Sequence, residues 1–236
     1  MAYVAPIVYS ATHRLIPTKY SEGSVLETLN LHAEALADLS ELDSATNERK
    51  NAERGWEPAI GPGELLFGVP EAQIVNAAFC HPGPWGGRFN DSRRGAWYAG
   101  VELETSQAEV GYHRALFLKE ARIGELLSFD YQDFLADFSE EFHHLDLDTG
   151  EREACLQEEP VPQCYGPGQV LARALLNGGS NGIVYPSVRR RGYLCIACFR
   201  PALVSHPRRG QQYRLNYQIS STSWELIDPL YRTAKG

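Results

Sequence analysis

The distribution of apolar and polar residues along the chain predicts a mixture of strands and helices. Apolar runs with the length of strands occupy residues 3–10, 96–99, 182–185, 193–199 and 213–219. Helices are predicted after a capping-box pattern at Ser24, after Pro70, from Thr105 towards Leu118, and from Gln169 to Leu176 before Gly178-Gly179. Because the chain contains no internal repeat and no clear linker, these elements indicate one α+β domain over residues 1–236.

Two segments extend this predicted domain. Residues 24–54 begin with leucines near helical spacing and become polar, which predicts a helical elaboration near the N-terminus. Residues 140–168 are polar and contain prolines, which predicts a long surface excursion.

Composition and charge restrict the class of protein. With 43% apolar and 22% charged residues, the 236-residue chain has a globular composition, and its net charge is −8. An acidic chain is not expected to bind a DNA backbone or an anionic membrane through a basic face. Local arginine clusters, such as Arg189-Arg190-Arg191, still allow a small anion to bind.

The compartment predicted from the sequence is the cytoplasm. No stretch approaches the ~20 apolar residues that a membrane span needs, and the first residues lack the pattern of a signal peptide. The five cysteines are an odd number in a long chain, unlike a disulfide framework.

Two motifs resemble catalytic or metal sites but have simpler interpretations. Gly178-Gly-Ser-Asn-Gly182 matches the nucleophile elbow of α/β-hydrolases, yet a helix precedes it, a strand follows it, and His206 and Asp228 come in the wrong order. A turn at Ser180 is therefore the favoured interpretation, and a serine hydrolase is a remote alternative. Cys195-x-x-Cys198 has no matching second pair and lies in an apolar run, which favours buried strand cysteines.

A metal site is also not predicted. His143 and His144 are followed by Asp146 and Asp148, so four potential ligands occupy six positions. Adjacent histidines in an acidic surface stretch are more often solvated than bound to metal.

Three other segments combine ionic and aromatic side chains with glycine. In Gly86-Gly-Arg-Phe-Asn90, paired glycines let backbone approach a ligand, and Arg88 has the fork geometry that binds phosphate. Trp97-Tyr98-Ala99 offers aromatic rings as a platform for a base. Glu109 lies on a predicted helix among apolar neighbours, where a carboxylate can stabilise a developing positive charge. Each segment alone also fits a surface arginine, a core tyrosine or a solvated glutamate.

Taken in order, these segments resemble the RES-domain family, toxins of bacterial toxin–antitoxin pairs. The matching stretches are His13–Tyr20, Gly87–Asn90, Trp97–Ala99, Glu104–His113 and Gly182–Arg189. They follow the family's order over most of the chain between residues 13 and 200.

The resemblance implies a fold of the diphtheria-type ADP-ribosyltransferases, with two small β-sheets around an NAD+ cleft flanked by helices. It implies catalytic roles for four residues. Arg88 would bind the NAD+ phosphates or orient the ribose, and Tyr98 would stack on the nicotinamide. Glu109 would stabilise the ribosyl cation, and Ser187 would hydrogen-bond the cofactor or Glu109. Further NAD+ contacts are implied for three other residues, namely Lys19, Tyr20 and Asn90.

The function implied by the resemblance is a toxin that consumes NAD+ as co-substrate without a metal. We expect ADP-ribose transfer to an intracellular protein acceptor; release to water or phosphate, which depletes NAD+, is the alternative. A non-enzymatic interaction module is a more remote alternative. The implied partner is an Xre-like helix-turn-helix antitoxin that occludes the active site.

Overall fold

A computed structural model describes residues 3–21, 59–121, 126–145, 150–218 and 223–227. The strands are β1 (Tyr3–Pro6), β2 (Tyr9–Pro17), β3 (Trp97–Gly100), β4 (Leu126–Phe138), β5 (Glu141–His144), β6 (Gly182–Pro186), β7 (Leu194–Cys198), β8 (Ser205–Gln218) and β9 (Ser223–Ile227). The helices are α1 (Thr18–Ser21), α2 (Ala72–Cys80), α3 (Leu103–Ala121), α4 (Gly150–Cys155) and α5 (Gly166–Asn177). This mixture confirms the predicted α+β class.

The strands of the described residues form one sheet, whereas the resemblance implied two. The order is β1-β5-β6-β7-β3-β2-β4-β8-β9, with β5 and β6 parallel and the other neighbouring pairs antiparallel. Within this sheet, the register between β2 and β3 contains a single pair, His13 opposite Gly100. The sheet is therefore continuous but nearly divided at this position, because one ladder pair is all that joins its two halves there.

Helix α3 stabilises this narrow junction. Ser106, in the first turn of α3, accepts a hydrogen bond of 2.9 Å from the backbone N–H of Gly100. The same hydroxyl donates to the carbonyl of His13, so one buried side chain bridges both strands. Because α3 packs against both β2 and β3, the residues along this helix lie where the two halves of the sheet meet.

Buried apolar side chains form several groups around the junction. The group that spans the junction includes Trp97 of β3 and Phe134 of β4. A second group packs α5 against β6 and β7 and includes Phe89. Another packs α3 against β2, β4 and β8 and includes Leu15 and Tyr131. The rigid framework on both sides fixes the backbone from which the candidate site is built.

The segment 140–168 is more integrated than the predicted surface excursion. It contributes β5 to the sheet, and it contains α4. Leu145, Cys155 and Tyr165 are buried. Its prolines follow these elements, at positions 160, 162 and 167, so they interrupt neither β5 nor α4.

The predicted helical elaboration at 24–54 lies outside the described residues. Among the helices that the structure describes, none has both the length and the apolar character to cross a membrane.

Candidate active site

A cavity of about 620 Å³ lies at the junction between the two halves of the sheet. Its wall combines Leu15 and Pro17 of β2, Tyr98 of β3, one face of α3, the loop 85–88, and residues 161–165. Its volume is in the range of cavities that hold small molecules and cofactors. Three of the predicted catalytic residues, Arg88, Tyr98 and Glu109, line it together.

Glu109 is held by the fourth predicted catalytic residue. The hydroxyl of Ser187 donates a hydrogen bond of 2.6 Å to Oε1 of Glu109. Ser187 is itself buried, and its oxygen accepts the backbone N–H groups of Arg189 at 3.2 Å and of Arg190 at 3.0 Å. These two donors fix the oxygen, so its own proton is directed at the carboxylate. A short hydrogen bond to a carboxylate is the charge-assisted kind, which holds it in one orientation.

Two titratable side chains near Glu109, Cys195 and Tyr185, are uncharged. The thiol of Cys195 lies 3.9 Å from Oε1 of Glu109, and burial raises the pKa of that thiol well above its ordinary value. The thiol therefore stays neutral beside the carboxylate. Burial likewise raises the pKa of Tyr185 well above its ordinary value, so this nearby phenol is also neutral.

Arg88 is buried, with 7% of its surface exposed, and is held by backbone carbonyls. Its Nη1 donates to the carbonyl oxygens of Cys155, at 2.9 Å, and Gln157, at 2.8 Å. Its guanidinium carbon lies 5.1 Å from the centre of the Tyr165 ring, a cation–π distance. Residues 155–165, which we call the strap, therefore orient the arginine that lines the cavity.

Close packing of glycine makes this placement possible. A Cβ on Gly168, in the first turn of α5, would overlap the carbonyl oxygen of Arg88, and would lie 3.3 Å from the ring of Phe89. A Cβ on Gly87 would lie 2.8 Å from the hydroxyl of Tyr98. The two glycines thus let α5 and β3 pack directly against the loop 85–88, which carries Arg88.

Tyr98 presents its ring to the cavity while its hydroxyl holds the loop. The hydroxyl accepts the backbone N–H of Phe89 at 2.8 Å and donates to Oδ1 of Asn90 at 2.9 Å. Burial is the main reason why the pKa of Tyr98 lies above its ordinary value. Asn90 also donates to the carbonyls of Asp91 and Arg94, and lines a second cavity instead of the one that holds Glu109.

Lys19 and Tyr20 lie apart from the four clustered residues. They belong to the short helix α1 and are exposed, with the Lys19 ammonium 4.6 Å from the centre of the Tyr20 ring. The cavity wall includes the nearby Pro17, but it includes neither Lys19 nor Tyr20. Their predicted contact with NAD+ has no counterpart in the described wall.

The structure adds two wall residues that the sequence analysis left without a role. His113 follows Glu109 by four positions on α3, so both face the cavity, and this spacing was the available signal. Desolvation by the surrounding protein, followed by the guanidinium groups of Arg189 and Arg88, lowers the pKa of His113 to about 4. The hydroxyl oxygen of Tyr165 lies 3.4 Å from Nε2 of His113, and burial raises the pKa of Tyr165 to about 12.

The other motifs singled out in the sequence have the following positions in the structure. Ser180 follows α5 and precedes β6, and its hydroxyl contacts Nδ1 of His143 at 2.8 Å and the backbone N–H of Gly182 at 3.2 Å. Cys195 and Cys198 are buried, unpaired thiols in β7. Among the described residues, no three His, Cys, Asp or Glu side chains are grouped as metal ligands.

Comparisons with known proteins place the chain in a family. A search of curated proteins gives no significant match. One chain of the crystal structure of the M. tuberculosis MbcT–MbcA toxin–antitoxin complex is similar, with 15% identity, a TM-score of 0.37, and coverage of 59% of this chain and 75% of that one. The model of the RES domain matches residues 65–218, well over half of the sequence, and includes Arg88, Tyr98, Glu109 and Ser187. The chain therefore belongs to the RES domain family.

Proposed function

We propose that this RES-domain protein is the toxin of a bacterial toxin–antitoxin pair, and that it cleaves NAD+ and transfers ADP-ribose to a protein. The observation that carries the proposal is the Glu109 carboxylate, fixed by Ser187 at 2.6 Å in a cavity that Arg88 also lines. A carboxylate and a guanidinium in one cavity match the two charges of the substrate, a cationic nicotinamide riboside and an anionic diphosphate.

Glu109 is the group that acts at the reacting bond. Breaking the bond between nicotinamide and ribose leaves positive charge on the sugar, and its electron pair departs with the neutral base. A carboxylate preorganised by Ser187 stabilises that charge without reorganising during the reaction. This role needs neither a covalent nucleophile nor a metal, as in other glycosyl transfers that pass through an oxocarbenium-like transition state.

Arg88 is proposed to bind the diphosphate. Its Nη1 donates to the strap carbonyls of Cys155 and Gln157, and within the described part of the chain these bonds leave the other guanidinium N–H groups for the ligand. A planar guanidinium held at one nitrogen is preorganised for phosphate oxygens, so less conformational entropy is lost on binding. The ring of Tyr98, in the same wall, is proposed to stack on the nicotinamide.

A protein acceptor is favoured by the rim of the cavity. Trp85 and Phe117 line the cavity, yet 69% and 54% of their surfaces are exposed. Large apolar side chains exposed next to a catalytic cavity are typical of surfaces that contact other proteins. Water or phosphate as acceptor needs no such rim, whereas a protein acceptor and an antitoxin that covers the cavity would both contact it.

The acceptor is tested with NAD+ labelled in its adenylate part. The purified chain is incubated with labelled NAD+ and a bacterial lysate, with Trp85→Ser as the matched variant of the rim. Label on discrete protein bands, reduced in Trp85→Ser, supports protein transfer. Nicotinamide release that produces only free ADP-ribose or its phosphate ester would show that the acceptor is water or phosphate.

The antitoxin is tested separately by growth. We propose an Xre-like helix-turn-helix partner that occludes the cavity, because an unrestrained NAD+ consumer would harm its own cell. Expression of the chain alone should inhibit growth, and co-expression of a neighbouring helix-turn-helix gene product should restore it. Inhibition that persists while the two proteins co-purify would contradict occlusion of the site.

A further inference from the structure

Arg189 occupies an unusual position between two parts of the site. It lies in the turn between β6 and β7, and only 7% of its side chain is exposed. It is outside the wall of the cavity. Its Nε is buried without a hydrogen-bond partner within the described residues. Burying a guanidinium that is only partly paired is unfavourable, so its other contacts must compensate for the burial.

The side chain of Arg189 holds the strap against α3. Its guanidinium carbon lies 3.4 Å from the centre of the Tyr112 ring, which is close stacking. Its Nη2 donates to the backbone carbonyl of Glu158 at 2.7 Å. Tyr112 reaches the same segment, because its hydroxyl donates to the carboxylate of Glu159 at 2.9 Å.

This attachment is adjacent to the one that orients Arg88. The carbonyl of Gln157 accepts from Nη1 of Arg88, and the next carbonyl along the strap, that of Glu158, accepts from Arg189. A displacement of residue 158 therefore moves the acceptor of Arg88 as well. The two guanidinium groups are therefore bonded to consecutive carbonyls of the strap, one peptide unit apart.

The backbone of Arg189 reaches the opposite side of the site. Its N–H donates to the oxygen of Ser187, which in turn donates to Glu109. The same residue is thus attached to the carboxylate through its backbone and to the phosphate-binding arginine through its side chain.

We infer that Arg189 is a positioning residue that sets Arg88 relative to Glu109 by holding the strap, an inference that rests on the proposed function. Because the carboxylate is held through the backbone of residue 189, a change of its side chain should affect mainly Arg88. The consequence is weaker binding of the diphosphate with little change in the chemical step.

Arg189→Lys tests this separation, because lysine keeps the charge but lacks the planar face that stacks on Tyr112. We expect the KM for NAD+, and the Kd for ADP used as a diphosphate probe, to rise about tenfold, while kcat for nicotinamide release changes less than about threefold. The control is Arg191→Ala. Arg191 contacts the carboxylate of the same Glu158 at 3.3 Å, but 88% of its side chain is exposed. The KM for NAD+ and the Kd for ADP should therefore stay within about twofold of the wild type.

Two further variants distinguish positioning from simple destabilisation. Tyr112→Phe removes only the hydroxyl that bonds to Glu159, and Tyr112→Leu also removes the ring on which Arg189 stacks. In the Arg189→Lys background, Tyr112→Leu should raise KM no further than Tyr112→Phe. Additive effects on KM, a normal ADP Kd in Arg189→Lys, or a loss in kcat at constant KM would each overturn the inference. If the wild type binds ADP but releases no nicotinamide, the proposed reaction fails, and the ADP measurements on the variants still decide the role of Arg189.

Discussion

Replacing Ser187 with alanine removes the hydrogen bond that fixes Glu109. The lost contact is a 2.6 Å bond between a hydroxyl and a carboxylate, and bonds to charged groups contribute about 1.5–3 kcal/mol. If that energy is expressed in the transition state, kcat for nicotinamide release should fall about 10- to 100-fold, because about 1.4 kcal/mol corresponds to a factor of ten. The KM should change little, since Ser187 lies behind the carboxylate and outside the cavity wall.

The same substitution has a separate effect on stability. The oxygen of Ser187 accepts the N–H groups of Arg189 and Arg190, and loss of these two bonds should lower the free energy of unfolding by about 1–3 kcal/mol. Urea unfolding of Ser187→Ala and of Ser92→Ala, an exposed serine, measures this part. A fully folded Ser187→Ala protein whose kcat lies within about twofold of the wild type would refute the role of the bond in catalysis.

Further predictions concern the junction, the loop and the pH dependence. Ser106→Ala removes the bridge between β2 and β3 and should lower the free energy of unfolding by about 1–3 kcal/mol in urea titrations; an unchanged midpoint would contradict the bridging role. Gly168→Ala places a methyl group against the Arg88 carbonyl, so the KM for NAD+ should rise more than in Gly166→Ala, where nothing lies within 4 Å of the added Cβ; equal values would count against this packing. The ring of His113 should titrate near pH 4 by NMR, below its ordinary 6.5. Because His113 binds its proton more readily in the unfolded chain, the free energy of unfolding should fall as the pH falls from about 6.5 to 4. His113→Gln should flatten this part of the plot of unfolding free energy against pH, and an NMR titration midpoint near pH 6.5 for His113 would exclude the effect.

Part of the fold was predictable from local pattern; β5, β9 and α4 were not predicted, and the longest missed element, β4, has an identifiable cause. Strands β3 and β6 lie close to their predicted ranges because each is a short apolar run. Helix α3 also lies close to its predicted range, but it begins at Leu103, so Thr105, the predicted cap, lies inside the helix. The long strand β4 was not predicted. Its pairing with β8 shifts register between Gln132 and Phe134, and this bulge interrupts the alternation of buried residues by which a strand is identified.

The candidate site was predicted in part for a similar reason. Arg88, Tyr98, Glu109 and Ser187 were identified through a resemblance, and the structure brings them together around one cavity and its immediate support. The roles of the strap and of Arg189 depend on contacts between residues far apart in the chain, such as those from Arg189 to Glu158, 31 positions apart, and from Arg88 to Cys155, 67 positions apart. No local pattern encodes such contacts.

The most direct test of the account is the nicotinamide released by Glu109→Gln. Glutamine keeps the size of the side chain but removes its charge, so the developing cation loses its stabilisation. We expect the initial rate at saturating NAD+ to fall by about 10²–10³ with the protein still folded, whereas Glu104→Gln, an exposed glutamate on the same helix, should keep the wild-type rate. Nicotinamide release by Glu109→Gln at the wild-type rate would contradict the central claim.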